Sequence, residues 1–469
     1  MIQPASVNRA CLVLAVATIA AGSARADHVS LHGLVTGDVA LTDNEFAVPS
    51  ADDPEPDVYL QLRPGLLLTS EGPRMINEIL AQAELLEYAR HADEPTYSAF
   101  GTWVGILTPG PRSEMTFVVD GSTGKVNALT ARTASDQTTI QVTPTGATDV
   151  RSADATESLG WQSTQETRTT ETAFTRWSST DDELAMPTTT SALEIGFSLG
   201  FQRTFHHDTI GIDAGGSYLR LERIAPPGDL EGSQLANQLN PRATVTWVRD
   251  LSQKWSMNLQ AGIVYVNPVG VDPYAPTTAT QGAQPYPIFS ATVAYTDVWG
   301  HAVLTAARTV APVLFIAQNT LSTSVIAQAA IPLDWFDESP RSHDPKLALV
   351  GSIGVSRSQL LDSETADTVG QFDIDHADVG FLWTPTPSQT YGLRYELIVQ
   401  NGDVIAQTFE PSFYRDTLFF TFSLRYPGDV MPRMPRTGES LRSDRSDVAP
   451  AGAEQVVPDA AEPAPGNAP

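Results

Sequence analysis

The sequence has very little cysteine and few bases. Its single cysteine, Cys11, lies near the N-terminus, so the rest of the chain has no disulfide, thiolate metal site or cysteine nucleophile. There are 28 Lys and Arg against 55 Asp and Glu, a formal charge of −27, which argues against nucleic acid as a partner. Charged residues make up only 18% of the chain. After the N-terminus no apolar run reaches the roughly 18 residues of a membrane helix, so a helical membrane protein is excluded.

What the N-terminus does hold is an address. Arg9 precedes the apolar CLVLAVATIAAG, and SARAD offers Ala24 and Ala26 as a small-x-small cleavage site. This is the layout of a secretory signal peptide spanning 1–26. Cys11 precedes the apolar run, so it is not placed for lipidation. Without 1–26, which contribute Arg9 and Arg25 and no acids, the balance becomes 26 − 55 = −29.

From residue 28 onward, alternating segments are separated by turn residues. In SALEIGFSLGFQR (191–203), Leu193, Ile195, Phe197, Leu199 and Phe201 share one face, while Glu194, Gly196, Ser198, Gly200 and Gln202 share the other. WSMNLQAGIVYV (255–266), YGLRYELIVQ (391–400) and TLFFTFSLRY (417–426) repeat the pattern. A period of two over this length predicts strands. A soluble β-sandwich would alternate too. These segments are long for sandwich strands, their polar faces are rich in Gly, Ser and Thr, and aromatics such as Trp255, Tyr265, Tyr391 and Tyr426 end the apolar rows. Apolar bands edged by aromatics belong to transmembrane barrels.

Connections give the strand count. Short turns fall at 70–73, 108–111, 163–166, 206–208, 251–254, 297–300 and 384–389. Longer connections fall at 44–57, 90–96, 129–147, 181–190, 225–234, 268–285, 311–319, 361–370 and 401–412. One segment, 333–344, is long where a short turn is due. The alternation predicts an all-β, transmembrane, antiparallel up-and-down β-barrel of about 18 strands, with 16 as the fallback. It occupies 27–427, lies in the outer membrane, and has both termini periplasmic. Two regions read poorly. MINEILAQAELLEYAR (75–90) has helix-forming composition but is needed as a strand to keep the turn alternation, and 112–180 hardly alternates. Residues 428–469, rich in Pro, Ala and charge, form a disordered tail, either a tether to a periplasmic export partner or an inert extension.

TGDVALTDNEF, DVYLQLRPGLLLTSEGPR and NPRATVTWVRDLSQKWSMNLQAGIVYV resemble Gram-negative outer-membrane porin-like barrels. The resemblance covers most of 28–427 and implies architecture rather than substrate. It also implies contact with outer-membrane lipid and lipopolysaccharide, and with the barrel-insertion machinery. Such barrels usually end on an aromatic residue, whereas here residues 427–469 follow Tyr426, so the insertion signal must be internal. The group includes polysaccharide-export barrels, with which the chain is compatible.

Nothing points to catalysis, a cofactor or a metal. GFSLG (196–200) matches G-x-S-x-G, but it lies within an alternating strand rather than at a strand–turn–helix elbow. The eight histidines form no metal-binding pair, and His206–His207 fall in a turn. DIDHAD offers Asp373, Asp375 and Asp378 for weak divalent bridging, but lacks the glycine and closing glutamate of an EF-hand. By strand parity, Arg63, Glu194, Asp213, Arg242, Arg394, Glu396 and Arg425 should point inward as pore-lining candidates. There they either set a field that selects solutes or merely solvate the wall. The sequence reading is a channel for a hydrophilic solute, with polysaccharide export as the specific expectation. The alternatives are a general diffusion porin and a plugged barrel with a structural or adhesive role.

Overall fold

The computed structural model describes residues 28–44, 54–90, 96–126, 148–182, 188–224, 233–269, 283–297, 299–313, 318–333, 347–361, 371–386, 388–402 and 412–426. The signal-peptide segment and the 428–469 tail lie outside them. The described residues form eighteen antiparallel strands in one sheet: β1 (His28–Thr42), β2 (Asp57–Glu71), β3 (Met75–Tyr88), β4 (Thr96–Gly110), β5 (Ser113–Val126), β6 (Thr148–Gln162), β7 (Thr167–Asp182), β8 (Thr188–Phe205), β9 (Asp208–Ile224), β10 (Gln234–Asp250), β11 (Trp255–Pro268), β12 (Gln284–Asp297), β13 (Gly300–Val313), β14 (Gln318–Pro332), β15 (Leu347–Leu360), β16 (Gln371–Thr386), β17 (Gln389–Gly402) and β18 (Phe413–Tyr426). Each strand pairs with its sequence neighbours, and β1 pairs with β18 from Gly33↔Tyr426 to Thr42↔Thr417. The ring is closed and has no sheet edge.

Exposure separates the two faces of this ring. Val29, Leu31, Val35, Val39 and Leu41 of β1 are exposed, while His32, Asp38, Ala40 and Thr42 between them are buried. The same alternation exposes Ile195, Phe197, Leu199 and Phe201 on β8, Ile353 and Val355 on β15, and Leu418, Phe420 and Leu424 on β18. A large apolar side chain left in water forgoes about 1.5–3 kcal/mol of burial. Dozens on one continuous surface require an apolar medium, and this face is the outer one. Aromatics edge it. Trp161, Trp255, Trp383 and Tyr426 lie toward the short-turn end, and Tyr97, Tyr218, Tyr265 and Tyr414 toward the other. Trp255 and Tyr265 are ten residues apart, about 34 Å along a strand and about 26 Å along the axis at a tilt of about 40°. That matches an outer-membrane apolar band.

Residues 75–88 are strand β3, as the turn alternation required. Both faces of β3 hold apolar residues. Leu80, Leu86 and Tyr88 are buried inside, while Ala81 and Ala83 face outward beside Leu66 of β2 and Gly101 and Ala99 of β4. Two connections differ from expectation. Those between β7 and β8 (183–187) and between β13 and β14 (314–317) are short, because the flanking strands continue into segments expected as loop. The long connection at 333–346 does fall at the short-turn end, between β14 and β15.

The seam between β1 and β18 is reinforced at both faces. Outside, the Phe422 ring lies across Gly37, where any Cβ would collide with it. Inside, Thr421 donates a hydrogen bond to Asp38, and Thr36 donates one to Ser423 at 3.4 Å. Beyond the paired region the Asp416 amide donates to the Asp43 carboxylate at 2.7 Å.

A closed barrel of this kind should be heat-modifiable. In detergent gels the unboiled protein should migrate ahead of the boiled chain. Phe420→Asp should reduce the fast form, because it places a carboxylate in the apolar band, where an acid costs somewhat less than the roughly 2–4 kcal/mol of a base at the midplane, and removes an aromatic lipid contact. Thr421→Asn, on the inner face, should retain it.

Candidate functional site: the inner wall

Strand period two puts every second side chain inside the ring. All seven residues singled out by parity, Arg63, Glu194, Asp213, Arg242, Arg394, Glu396 and Arg425, lie on the face opposite the exposed apolar rows. They do not form one cluster. Six of them fall in four ionic groups spread around the wall, and three of these groups draw in residues that were not singled out.

The first group joins β1, β2 and β3. Arg63 donates through Nε to Glu84 at 2.9 Å and through an η nitrogen to Asp38 at 3.3 Å and Gln61 at 2.7 Å. Glu84 and Asp38 are almost fully buried, with side-chain exposures of 5% and 9%. One guanidinium thus holds two carboxylates that would otherwise repel each other across β2. The second group spans β6 to β8: Arg176 pairs with Asp154 at 3.0 Å and with Glu194 at 3.8 Å. In the third, Arg242 on β10 approaches Asp213 on β9 at 3.8 Å. The fourth lies on β16 to β18. There Glu396, 1% exposed, meets Arg394 at 3.6 Å and the equally buried Arg415 at 3.8 Å. Arg394 also stacks on the Phe419 ring, 4.5 Å from its centroid, and His376 lies 3.9 Å from Asp378. Arg425 makes no ion pair among the described residues.

Asp38 was legible in the same way as Arg63, because Val35, Val39 and Leu41 set the parity of β1. Asp154 and Arg176 were not. Around them the outer face carries Glu157 and Glu171, while Val118 and Phe174 point inward, so apolar alternation gives no parity. Gly196 and Ser198 are inner positions of β8, and the Phe174 ring covers Gly196. Ser198 faces Thr172 and Gly215 on the adjacent strands, so the G-x-S-x-G match has no elbow and no histidine beside it in the register. Asp373 and Asp375 face outward on β16, where Arg357 pairs with Asp373 at 2.7 Å, while Asp378 faces inward. The three do not converge. Among the described residues no group of three His, Cys, Asp or Glu is arranged to hold a metal ion. His206 and His207 are exposed in the β8–β9 turn.

The inner wall differs from one end to the other. Toward the long-connection end it is buried on most strands. Examples are Tyr59, Tyr88, Leu221, Gln238, Thr320, Ser358, Phe372, Gln400 and Phe413. Toward the short-turn end, side chains of β10 to β18 such as Gln260, Thr292, Val303, Gln328, Ser352 and Arg425 are half-exposed. The lumen therefore opens at the short turns and narrows toward the other end. At the short-turn rim Lys254 donates to Asp297 at 2.6 Å, and that carboxylate raises the Lys254 ammonium pKa above its ordinary value.

No family model matches the chain, and no curated protein matches it. Solved structures similar to it are outer-membrane barrels. OccK2 (OpdF) of Pseudomonas aeruginosa is 9% identical, with 85% of this chain and 99% of that chain covered and a TM-score of 0.44. A BenF-like porin of Pseudomonas fluorescens Pf-5 is 7% identical, with 85% and 99% covered and a TM-score of 0.45. OccAB3 of Acinetobacter baumannii is 8% identical, with 85% and 99% covered and a TM-score of 0.44. Likeness at this distance carries no argument about function, which rests on the chain's own geometry.

Removing Arg63 should be costly, because Asp38 and Glu84 would be left facing each other in a nearly buried setting. Arg63→Ala should lower stability by about 3 kcal/mol, read as a reduced urea midpoint of the folded form, and Arg63→Ala with Glu84→Gln should recover part of the loss.

Proposed function

We propose that the chain is an outer-membrane diffusion channel for small hydrophilic solutes. The observation that carries this reading is the pairing of two surfaces on one closed ring: an apolar, aromatic-edged outer belt and a polar inner face, half-open at one end. Barrels of about 16–18 strands leave room for an aqueous path. In this reading the short turns are periplasmic and the longer connections external. Both β1 and β18 then have their free ends on the periplasmic side, so the chain beyond Tyr426 starts there and is available to a periplasmic partner. The outer belt meets lipid, with lipopolysaccharide in the external leaflet. The insertion signal is carried by β18, whose last residue is Tyr426.

The wall charges tune this path rather than drive it. Arg63, Arg176, Arg242 and Arg394 each have a carboxylate within 4 Å that offsets their own field, and the second carboxylate beside Arg63 and beside Arg176 leaves each of those two groups with one net negative charge. Arg425 is the one of the seven predicted wall residues with no ion pair among the described residues, and it is left to act on a passing ion. Polysaccharide export gains no support from this geometry. The inner face is buried over most strands at the long-connection end, where a polymer would need its widest clearance.

Planar bilayers test the reading. The purified barrel should give steady, small, weakly selective conductance steps. Arg425→Glu should shift the zero-current potential toward cation selectivity, because an unpaired base becomes an acid on the inner wall. If neither the purified barrel nor liposomes containing it pass ions or small sugars faster than protein-free controls, the channel reading is wrong.

A further inference from the structure

One sector of the inner wall has no charge. The five consecutive strands β11 to β15 contain only three charged residues, Asp297, Arg308 and Arg357. All three share the face of exposed outer residues: Arg308 is opposite Phe289, Arg357 is in line with Ile353 and Val355, and Asp297 is in line with Tyr295. The inner face of these strands instead carries hydroxyls and amides, among them Asn258, Gln260, Thr292, Thr305, Gln328 and Ser352. Its titratable side chains among the described residues are His301, which bonds Thr296 at the short-turn rim, and Tyr286, whose hydroxyl donates to Gln284 at 3.1 Å. In a chain with 55 acids and 28 bases, a five-strand neutral wall is a specific feature.

A second observation comes from the long-connection end of this sector and of β10 beside it. Asn240, on the inner face of β10, is 8% exposed, and Asn319, near the start of β14, is 3% exposed. The Asn319 amide nitrogen donates to Gln238, four strands away in the ring, yet the Oδ1 atoms of Asn319 and Asn240 have no hydrogen-bond partner. Buried acceptors normally have donors. Two unmet acceptors at the inner end of a neutral hydroxyl wall call for a ligand that brings O–H donors without charge.

Resting on the channel reading, we propose that the β11–β15 wall is a binding path for an uncharged, polyhydroxylated solute of the sugar class, and that Asn240 and Asn319 accept hydrogen bonds from its hydroxyls. A sugar hydroxyl both donates and accepts, which suits a wall of Ser, Thr, Asn and Gln. A carboxylate or ammonium passing here would shed hydration without meeting a countercharge. The flanking charges do not help it, because Arg242 is held by Asp213 and Arg394 by Glu396.

The test uses the full barrel in planar bilayers, with maltotriose and gluconate added as neutral and charged probes. Maltotriose should interrupt the ion current in a concentration-dependent way, and gluconate should not. Asn240→Leu and Asn319→Leu should each raise the half-blocking maltotriose concentration about tenfold, the effect of one lost hydrogen bond, with the sugar-free conductance little changed. If either variant loses its heat-modifiable form, Gln260→Ala on the half-open part of the wall takes its place, with a weaker block expected. A barrel that conducts but responds equally to both probes, or to neither, overturns this inference and leaves the channel reading standing. A barrel that does not conduct overturns the channel reading. Calorimetric titration of the detergent-solubilised barrel with maltotriose then decides the inference, with binding supporting it and no heat of binding overturning it.

Discussion

The pairing of β1 with β18 is the constraint on which the rest of the molecule depends. An apolar belt can face lipid only if every strand's backbone groups are satisfied within the protein, because hydrocarbon offers them no partner. Ten registered pairs, Gly33↔Tyr426 to Thr42↔Thr417, supply that closure between the ends of the chain. They fix parity as well as closure. A slip of one residue would turn Phe420 and Leu418 inward and bring Thr421 and Arg425 to lipid. Gly37 under the Phe422 ring, and Asp38 under Thr421, are the contacts that pin this register.

Closure leads directly to the polar interior. Arg63, Glu84, Arg394, Glu396 and Arg415 are tolerable where they stand because the ring turns them away from lipid and toward one another. The grouping is not neutral everywhere: one guanidinium faces two carboxylates in the Arg63 and Arg176 groups, one faces one in the Arg242 group, and two face Glu396. The wall is asymmetric in both directions. It is open at the short turns and buried at the opposite end, and it is charged around most of the ring but neutral over β11 to β15.

Much of this was legible in the sequence. The strand count followed from turn chemistry, and parity followed wherever apolar residues alternate, as in 191–203, 255–266 and 417–426. The segment 75–88 shows where that logic weakens. Its helix-forming composition and its inward Leu80 and Leu86 hide the period of two, and only the alternation of turns marked it as a strand. In 112–180 the signal disappears because acids such as Glu157 face outward while Phe174 faces in, so Asp154 and Arg176 could not be assigned. Ion-pair partners were equally hidden, since they depend on register between strands. The half-open short-turn end and the buried far end are properties of the assembled ring and have no sequence pattern of their own.

The central claim is that one face of each strand meets lipid and the other meets water. Because no cysteine follows Cys11, single-cysteine variants along β18 report on this directly. In reconstituted vesicles, cysteines at Thr421, Ser423 and Arg425 should react with a small hydrophilic thiol reagent. Those at Phe420, Phe422 and Leu424 should not, and should instead be quenched by lipid-borne probes when labelled in the unfolded state. Equal reactivity at successive positions, or reaction confined to 420, 422 and 424, would contradict the account.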